Sequence, residues 1–363
     1  MIVGGGVMGL MQARELALKG WQVTLLDKSE CGKEASWAGG GIISPLYPWR
    51  YAPAITALAS WSQQYYPHLI QNLEAESDID PELSRHGLLM LAVDDYQAAL
   101  DWAQENAYWL EQIDRDQLYR LEPSLREGLE QGLWMSQVAS VRNPRLLRAL
   151  KQIATQHPQI TVEEVARVTE VKPHHASPSV VTEQGRHFEG DVVLLCSGAW
   201  TAELLGLPKL PIEPVKGQML VFDAPTGLVN RVVLSHGKYV IPRRDGKVVA
   251  GSTLERCGFD KTTTADAKEQ LADAAIELFP ELARCPISYH WAGLRPGSPK
   301  GLPFIGALPE YEGVFVNAGH FRNGLVLAPA SVRLMTSILC GETPPVDASP
   351  YDPKRVFSPS PAF

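Results

Sequence analysis

Glycines at the start of the chain have the spacing of a turn that binds a dinucleotide. Residues 4–9 read GGGVMG, which fits the pattern G-x-G-x-x-G. The first glycine permits the tight turn from strand to helix, the second lets the backbone approach a pyrophosphate, and the third lets the helix pack on the strand. Residues 21–27 read as a second parallel strand ending at Asp27, 18 residues after Gly9, where a ribose hydroxyl needs an acceptor.

Further glycine-rich turns suit a flavin site better than a nicotinamide site. Residues 35–42 read ASWAGGGI soon after Asp27, and residues 197–200 read SGAW at the end of a later strand. A nicotinamide dehydrogenase would need only the first motif and a catalytic acid or base. No grouping of histidine, cysteine and carboxylate side chains has metal-ligand spacing, so no metal site is predicted.

The elements that must position these turns alternate between strands and helices. Residues 191–196 form a continuous apolar run typical of a buried parallel strand, and residues 313–319 predict another strand. Asn143 and Pro144 indicate a helix start, with asparagine as the N-cap and proline in the first turn. We expect the main helices at residues 52–76, 94–112, 143–156, 265–283 and 325–340.

Composition and charge indicate an ordinary small-molecule enzyme. The 363 residues are 45% hydrophobic with a formal net charge of -8 and no run of Lys or Arg, which argues against a nucleic-acid partner. The five cysteines form no C-x-x-C pair, so we expect reduced thiols and a cytoplasmic location. Neither a signal peptide nor a membrane span is expected. The three residues before Gly4 make a short first strand, which leaves open whether the native chain begins earlier.

Several motifs together resemble the D-amino acid oxidase family, particularly its glycine-oxidising members. Besides residues 4–9, Asp27 and residues 35–41, they are SGAW at 197–200, VKGQ at 215–218, GLRP at 293–296 and GHFRNG at 319–324. The resemblance extends from the first residue to about Leu339. It implies an α/β fold in which a Rossmann-like FAD-binding domain (residues 1–84, 142–211 and 295–363) is interleaved with an α+β substrate-binding domain. That second domain (residues 85–141 and 212–294) is built on a mostly antiparallel sheet.

The resemblance implies a non-covalent FAD. Gly4, Gly6 and Gly9 would face its pyrophosphate, Asp27 its ribose and the backbone of Val165 its adenine. The segment from Gly39 would lie against the isoalloxazine ring, and residues 320–325 near its pyrimidine edge. The full set of predicted cofactor contacts is Gly4, Gly6, Val7, Met8, Gly9, Asp27, Lys28, Ser36, Gly39, Gly40, Gly41, Ile42, Val165, Ser197, Gly198, Trp200, Arg295, His320, Arg322, Asn323, Gly324 and Leu325.

The resemblance also assigns the substrate site. Burial of an amino acid carboxylate requires a paired cation, and Arg295 matches the family's carboxylate-binding arginine. Tyr239 matches a tyrosine that helps to hold that carboxylate, although a core aromatic is an equal alternative from the residue alone. Arg322 matches a second arginine that serves the flavin and the substrate. We expect Leu254 to form the wall that limits the pocket to small substrates.

The implied reaction is oxidative deamination of glycine, sarcosine or small D-amino acids by hydride transfer to flavin. The substrate would give glyoxylate or another 2-oxo acid, ammonia or an amine, and hydrogen peroxide after reaction with dioxygen, and the product would feed the thiazole ring of thiamine. Alternatives are a related dehydrogenase or oxidase with another preferred substrate or a quinone acceptor, the flavin domain of a tRNA-modifying enzyme, and a sensor without turnover. A homo-oligomer is possible, and residues 44–51 fit either the site entrance or a subunit contact.

Overall fold

The computed structural model describes residues 1–205 and 210–357. The helices are α1 (Val7–Leu18), α2 (Ala35–Ala38), α3 (Pro53–Ser77), α4 (Tyr96–Glu105), α5 (Arg115–Leu121), α6 (Asn143–Gln156), α7 (Thr201–Leu205), α8 (Ala265–Leu278), α9 (Gly324–Cys340) and α10 (Lys354–Phe357). The strands are β1 (Ile2–Val3), β2 (Val23–Leu26), β3 (Leu88–Leu91), β4 (Glu111–Asp114), β5 (Gln131–Met135), β6 (Ile160–Glu163), β7 (Val168–Lys172), β8 (Ser179–Thr182), β9 (His187–Glu189), β10 (Val193–Leu195), β11 (Glu213–Asp223), β12 (Val232–Ser235), β13 (Lys238–Pro242), β14 (Lys247–Gly251), β15 (Ile287–Gly297), β16 (Phe304–Ala307) and β17 (Val314–Ala318).

The smaller of the two main sheets has six strands in the order β16-β17-β10-β1-β2-β6. All neighbours are parallel except β16 and β17. The short β1 holds the centre because it pairs with β10 on one side and β2 on the other. Helices α1, α3, α6 and α9 share one apolar core on this sheet, and a second core on it includes residues of the β7-β8-β9 sheet.

The larger sheet has eight strands in the order β15-β11-β14-β13-β12-β3-β5-β4. Its neighbours are antiparallel except for the parallel pair β3 and β12. Helix α8 contributes to one of its two apolar cores. The other core contains Tyr239 and Ile241 from β13 with Leu46 from the chain after α2. The predicted α/β fold, with one largely parallel sheet and one largely antiparallel sheet, is confirmed.

The division into two domains stays a prediction, and its segments 206–209 and 358–363 lie outside the described residues. The strands of the six-stranded sheet fall within the ranges predicted for the FAD-binding domain. Strand β15, however, crosses the expected boundary between residues 294 and 295. Arg295 therefore belongs to the larger sheet, where it pairs in register with Val215 of β11.

Two local predictions from the sequence are wrong. The helix expected at residues 94–112 ends at Glu105, because Ala107 takes a left-handed conformation with φ 56°, and an edge strand follows. Asn143 does not act as the N-cap of α6, since Arg142 takes that position. The Asn143 side chain instead donates from Nδ2 to the Ser36 carbonyl oxygen at 2.8 Å. That contact ties α6 to α2, which directly precedes the glycine-rich segment.

By length and composition alone, the helix from Phe321 to Cys340 is long and apolar enough to cross a membrane, with a mean hydropathy of 1.3. The same segment is 67% buried inside the protein. Its side chains belong to the core shared with α1 and α3. The apolar side chains of α9 thus pack against those helices and the six-stranded sheet.

Candidate active site

A cavity of ≈ 400 Å³ extends from the carboxyl ends of the parallel strands to the larger sheet. Parallel α/β sheets bind ligands in the crevice beyond the carboxyl ends of their strands. Here Val3, Leu26, Cys196 and Ala318 bring four such strands to the cavity, and Tyr239 of β13 meets them from the larger sheet. The volume lies within the range of small-molecule and cofactor sites.

The glycine-rich turn at the start of α1 is packed too tightly for larger residues. Gly4 has φ 109°, and a Cβ on it would lie 2.5 Å from the Cys196 carbonyl oxygen. A Cβ on Gly9 would lie 1.8 Å from the Gly4 carbonyl oxygen. Gly9 therefore serves helix packing and does not reach the cavity, whereas Gly4, Gly6, Val7 and Met8 line it. The N-terminus of α1 thus opens onto the cavity, where its partial positive charge suits a phosphate group.

Asp27 lies on the cavity wall beside this turn. Its Oδ2 accepts from Gly5 N at 2.7 Å, and its Oδ1 accepts from Ser29 N at 2.8 Å. Burial raises the pKa of Asp27, while these backbone bonds and the nearby Lys28 oppose that change. A carboxylate has about four acceptor positions, so Asp27 retains capacity for a ligand hydroxyl.

Aromatic and charged side chains close the end of the cavity beyond Asp27. Lys28 Nζ lies 3.3 Å from the centroid of the Trp200 ring and 3.0 Å from Glu34 Oε1. Trp200 stacks on Phe259 with 5.4 Å between ring centroids. Ser197 and Gly198 line the same region.

Val165, which the sequence assigned to this end, lies outside the cavity lining. It has φ 55° and is 70% exposed. Its carbonyl accepts from Gln184 Nε2 at 3.2 Å. The next residues along the chain, Ala166 to Thr169, line the cavity in its place. The sequence does not signal the left-handed conformation of Val165.

The predicted flavin-facing segment Gly39–Ile42 does line the cavity, as does Ser36. Gly41 has φ 81°, and a Cβ there would lie 2.1 Å from the Val141 carbonyl oxygen. Arg243, which the sequence analysis missed, donates from Nη2 to the Gly40 carbonyl at 2.7 Å and from Nη1 to Val141 at 2.9 Å. Burial, followed by the charge of Arg142, lowers the pKa of Arg243 to about 10. The buried guanidinium holds this segment against the start of α6.

Three asparagines on the cavity wall carry buried polar atoms without a hydrogen-bond partner among the described residues. They are Asn143 Oδ1, Asn317 Oδ1 and Asn323 Nδ2. Buried polar groups are nearly always paired, so these atoms fit a ligand that carries both donors and acceptors. Asn143 was missed because the Asn143-Pro144 pair indicates a helix start, and Asn317 was missed because it lies within a predicted strand and carries no motif of its own.

His320 lines the cavity near Asn323. Its Nε2 lies 3.1 Å from Ser331 Oγ in α9. Burial lowers the pKa of His320 to about 3, so its imidazole is uncharged at neutral pH. Gly324 and Leu325 follow it along the cavity.

Arg295 of β15 and Tyr239 of β13 lie close together where the larger sheet lines the cavity. Arg295 donates from Nη2 to Ser252 Oγ at 2.7 Å and from Nη1 to the carbonyls of Thr253 at 3.1 Å and Lys216 at 3.3 Å. No carboxylate in residues 1–205 and 210–357 lies within ion-pair distance of its guanidinium, and none there pairs with Arg322. Burial lowers the pKa of Arg295, and the charge of Arg322 adds to that effect.

Lys238 adds a third positive charge to this region. Its Nζ donates to the Ser252 carbonyl at 3.0 Å, so it shares that residue with Arg295. Burial lowers the pKa of Lys238, and the charges of Arg322 and Arg295 lower it further. The acids on the cavity wall are Asp27, Glu34 and Glu203, which all lie toward the Trp200 end. The site around Arg295 therefore has positive charge available for an anion.

The structure does not bring Leu254 to the cavity. Its side chain is 51% exposed, because the chain turns outward after β14 before it pairs at Glu255 with Lys216. Ser44 and Leu46 line the cavity instead. Nearby, Arg50 and Trp49 donate to the Asp95 carboxylate at 2.6 and 2.8 Å, which fixes part of the 44–51 segment on the larger-sheet side.

Comparisons with known proteins point to one family. The family description "DAO: FAD dependent oxidoreductase" matches residues 1–338. The chain is 49% identical over 357 residues to a glycine oxidase of Pseudomonas aeruginosa, covering 97% of this chain and 98% of that protein. It is 31% identical over 367 residues to a Synechocystis bifunctional protein ThiO/ThiG, covering 99% of this chain and 54% of that protein. The crystal structure of glycine oxidase from Geobacillus kaustophilus is similar with a TM-score of 0.90 and 27% identity, covering 97% of this chain and 96% of that one.

Proposed function

This chain belongs to the DAO family of FAD dependent oxidoreductases, and we propose that it catalyses the oxidative deamination of glycine. Sarcosine and small D-amino acids are proposed as further substrates. The products are glyoxylate or another 2-oxo acid, ammonia or an amine, and hydrogen peroxide. The observation that carries this proposal is the guanidinium of Arg295, which faces the cavity beside Tyr239 with only neutral acceptors around it.

The residues of the cavity fit FAD. The turn at Gly4 and Gly6 with the N-terminus of α1 would hold the pyrophosphate, and Asp27 a ribose hydroxyl. Lys28 and Trp200 would close the adenine end. The unpaired amide atoms of Asn143, Asn317 and Asn323 offer the mixed donors and acceptors that a flavin ring and its ribityl chain require. The chemistry supplied by FAD, when FAD is bound, is the acceptance of a hydride from the substrate and reoxidation by dioxygen.

Arg295 would bind the substrate carboxylate. A guanidinium presents a planar fork that matches two carboxylate oxygens, and such charge-assisted bonds are stronger than neutral ones. Gly217 on the neighbouring strand makes room for this side chain, since a Cβ there would lie 2.1 Å from Arg295 Nη1. We propose that the Tyr239 hydroxyl donates to the same carboxylate and that Arg322 covers it from the cavity mouth.

The charges around the substrate would also favour the reactive form of its amine. A neutral amine is required for hydride loss from the α-carbon, and nearby cations disfavour the ammonium form. Arg295, Arg322 and Lys238 supply that field, while no acid lines this end of the described cavity. The side chains thus orient the substrate and bias its protonation, and no residue has to act as a general base.

The likeness to a ThiO/ThiG protein supports a link between this reaction and formation of the thiazole ring of thiamine. We place the enzyme in the cytoplasm on the basis of its cysteines, which are all free in the described chain. The alternative is an oxidase or dehydrogenase of the same fold with another preferred amino acid.

The visible absorption spectrum of the purified protein tests the proposal directly. We expect a flavin band that bleaches when glycine is added without oxygen and returns when air is admitted. A band that ignores glycine but bleaches with sarcosine or a D-amino acid would replace the substrate and keep the chemistry. A protein without a flavin band, even after incubation with FAD, would contradict the proposal.

A further inference from the structure

A buried lysine lies directly behind the carboxylate-binding arginine. Lys216 of β11 is 3% exposed. Its Nζ lies 3.1 Å from Glu255 Oε2, from Asp260 Oδ2 and from the Thr262 carbonyl oxygen. Burial opposes its charge, but the bonds to Glu255 and Asp260 raise the pKa of Lys216 to about 12. Lys216 is therefore a permanent cation on the side of Arg295 away from the cavity.

The partners of Lys216 belong to the same loop that holds Arg295. This 252–262 loop supplies Ser252 Oγ and the Thr253 carbonyl to the guanidinium. The backbone of Lys216 pairs with that of Glu255 through two bonds of 2.9 Å, and its carbonyl also accepts from Arg295. Lys216 thus contacts Arg295 through its backbone carbonyl. It contacts the 252–262 loop through both its backbone and its side chain.

Glu255 is the acid that would otherwise compete for Arg295. It is close enough for its charge to raise the pKa of both Arg295 and Lys238, whereas burial lowers the pKa of each. Its carboxylate is directed elsewhere: Oε1 accepts from Gln218 Nε2 at 2.9 Å and from the Thr253 hydroxyl, and Oε2 faces Lys216. Gln218 is fully buried and fixes this orientation.

We propose that Lys216 is a positioning residue that keeps Glu255 away from Arg295 and so leaves the guanidinium free for the substrate carboxylate. Without the ammonium, Glu255 would lose its ion-pair partner while still within electrostatic reach of Arg295, whose present hydrogen-bond partners are all neutral. An internal ion pair would then occupy the anion site. This inference rests on the proposed function of Arg295, but it concerns binding of a carboxylate and not which amino acid is oxidised.

The test measures carboxylate binding to the FAD-loaded enzyme with acetate as the probe, through the change it causes in the visible flavin spectrum. In Lys216→Met we expect the acetate Kd and the glycine KM to rise about tenfold or more, with kcat within about threefold of the wild type. The double variant Lys216→Met/Glu255→Gln should return the acetate Kd to within about threefold of the wild type, because the competing charge is removed. Lys216→Arg should bind acetate normally.

The rescue separates a charge effect from simple damage to the fold. Lys247→Met, which removes the exposed lysine paired with Asp223, is the matched control and should leave the acetate Kd unchanged. An unchanged Kd in Lys216→Met, or a loss of binding that Glu255→Gln does not restore, would overturn the proposal. If Lys216→Met does not fold, Glu255→Gln alone decides: a Kd within about threefold of the wild type supports shielding by Lys216, and weaker binding refutes it. Failure of the proposed substrate would appear separately, as a wild-type flavin that binds acetate but ignores glycine.

Discussion

Replacement of Arg295 by leucine should remove most of the binding energy for the substrate carboxylate. The guanidinium is mostly enclosed by Ser252, Thr253 and Lys216, and none of its partners is charged. Loss of one member of a buried ion pair costs about 3–5 kcal/mol. Because Arg322 also lines the cavity and keeps its positive charge in this variant, we expect a loss of about 3 kcal/mol, which is roughly a hundredfold in kcat/KM for glycine.

The protein itself should tolerate this change. Within the described part of the chain, no carboxylate loses an ion-pair partner when Arg295 is removed, since the acceptors of Arg295 are two carbonyls and one hydroxyl. We therefore expect the FAD content and the melting temperature of Arg295→Leu to stay close to those of the wild type. Arg295→Lys keeps the charge without the planar fork and should lose less activity than Arg295→Leu.

The assay is peroxide production from glycine by enzyme of measured FAD content, over a range of glycine concentrations. Arg115→Leu removes an exposed arginine that pairs with Glu130, and it serves as the matched control. A value of kcat/KM for Arg295→Leu within threefold of the wild type, at equal FAD content, would refute the assignment of the carboxylate to Arg295. A parallel loss of FAD would instead show that the residue acts through the cofactor.

Three further changes test the packing and electrostatics of the site. Gly217→Ala should displace the Arg295 guanidinium, because the added Cβ falls 2.1 Å from Nη1; we expect about a tenfold loss of kcat/KM for glycine, whereas Gly190→Ala, with 3.6 Å to its nearest neighbour, should have none. Leu46→Ala should raise activity on larger D-amino acids relative to glycine, and the exposed Leu254→Ala should leave that ratio unchanged; the reverse result would restore Leu254 to the pocket. His320 has its pKa lowered from 6.5 to about 3 by burial, so the unfolded state binds more protons between these values and the free energy of unfolding falls as pH falls below 6.5. At pH 5 we expect the free energy of unfolding, measured in urea, to be about 2 kcal/mol lower than at pH 7. An equal decrease in His320→Asn would show that the pH dependence does not come from His320.

The sequence predicts those parts of the site that depend on backbone shape near one motif. Gly4 and Gly9 could be placed because only glycine fits a left-handed turn and a helix packed directly on a strand. The strand at 193–195 could be placed because a chain buried on both faces reads as a continuous apolar run. In each case the local spacing of residue types determines the structure.

Side chains that reach the site from separate elements could not be predicted in the same way. Asn143 looks like a helix cap in the sequence, and only its packing against Ser36 directs it to the cavity. Leu254 follows a well-predicted strand, yet the pairing of Glu255 with Lys216 turns the chain so that the leucine faces solvent. Both errors concern the direction of one side chain after an element boundary, which distant partners decide.

The same dependence on distant partners explains why the proposed anion site around Arg295 could not be predicted from the sequence alone. Arg295 and Gly217 lie 78 positions apart in the sequence, and only the pairing of β15 with β11 shows that the glycine makes room for the arginine. Lys216 and Glu255 come from two further places, and their contact decides whether Arg295 stays without a carboxylate. A buried cation without a paired anion costs stability, and the place of Arg295 on the cavity wall is why we propose that it binds the substrate carboxylate. Glu255 is the acid whose reorientation would satisfy Arg295 from within the protein, and its carboxylate is held instead by Lys216 and Gln218.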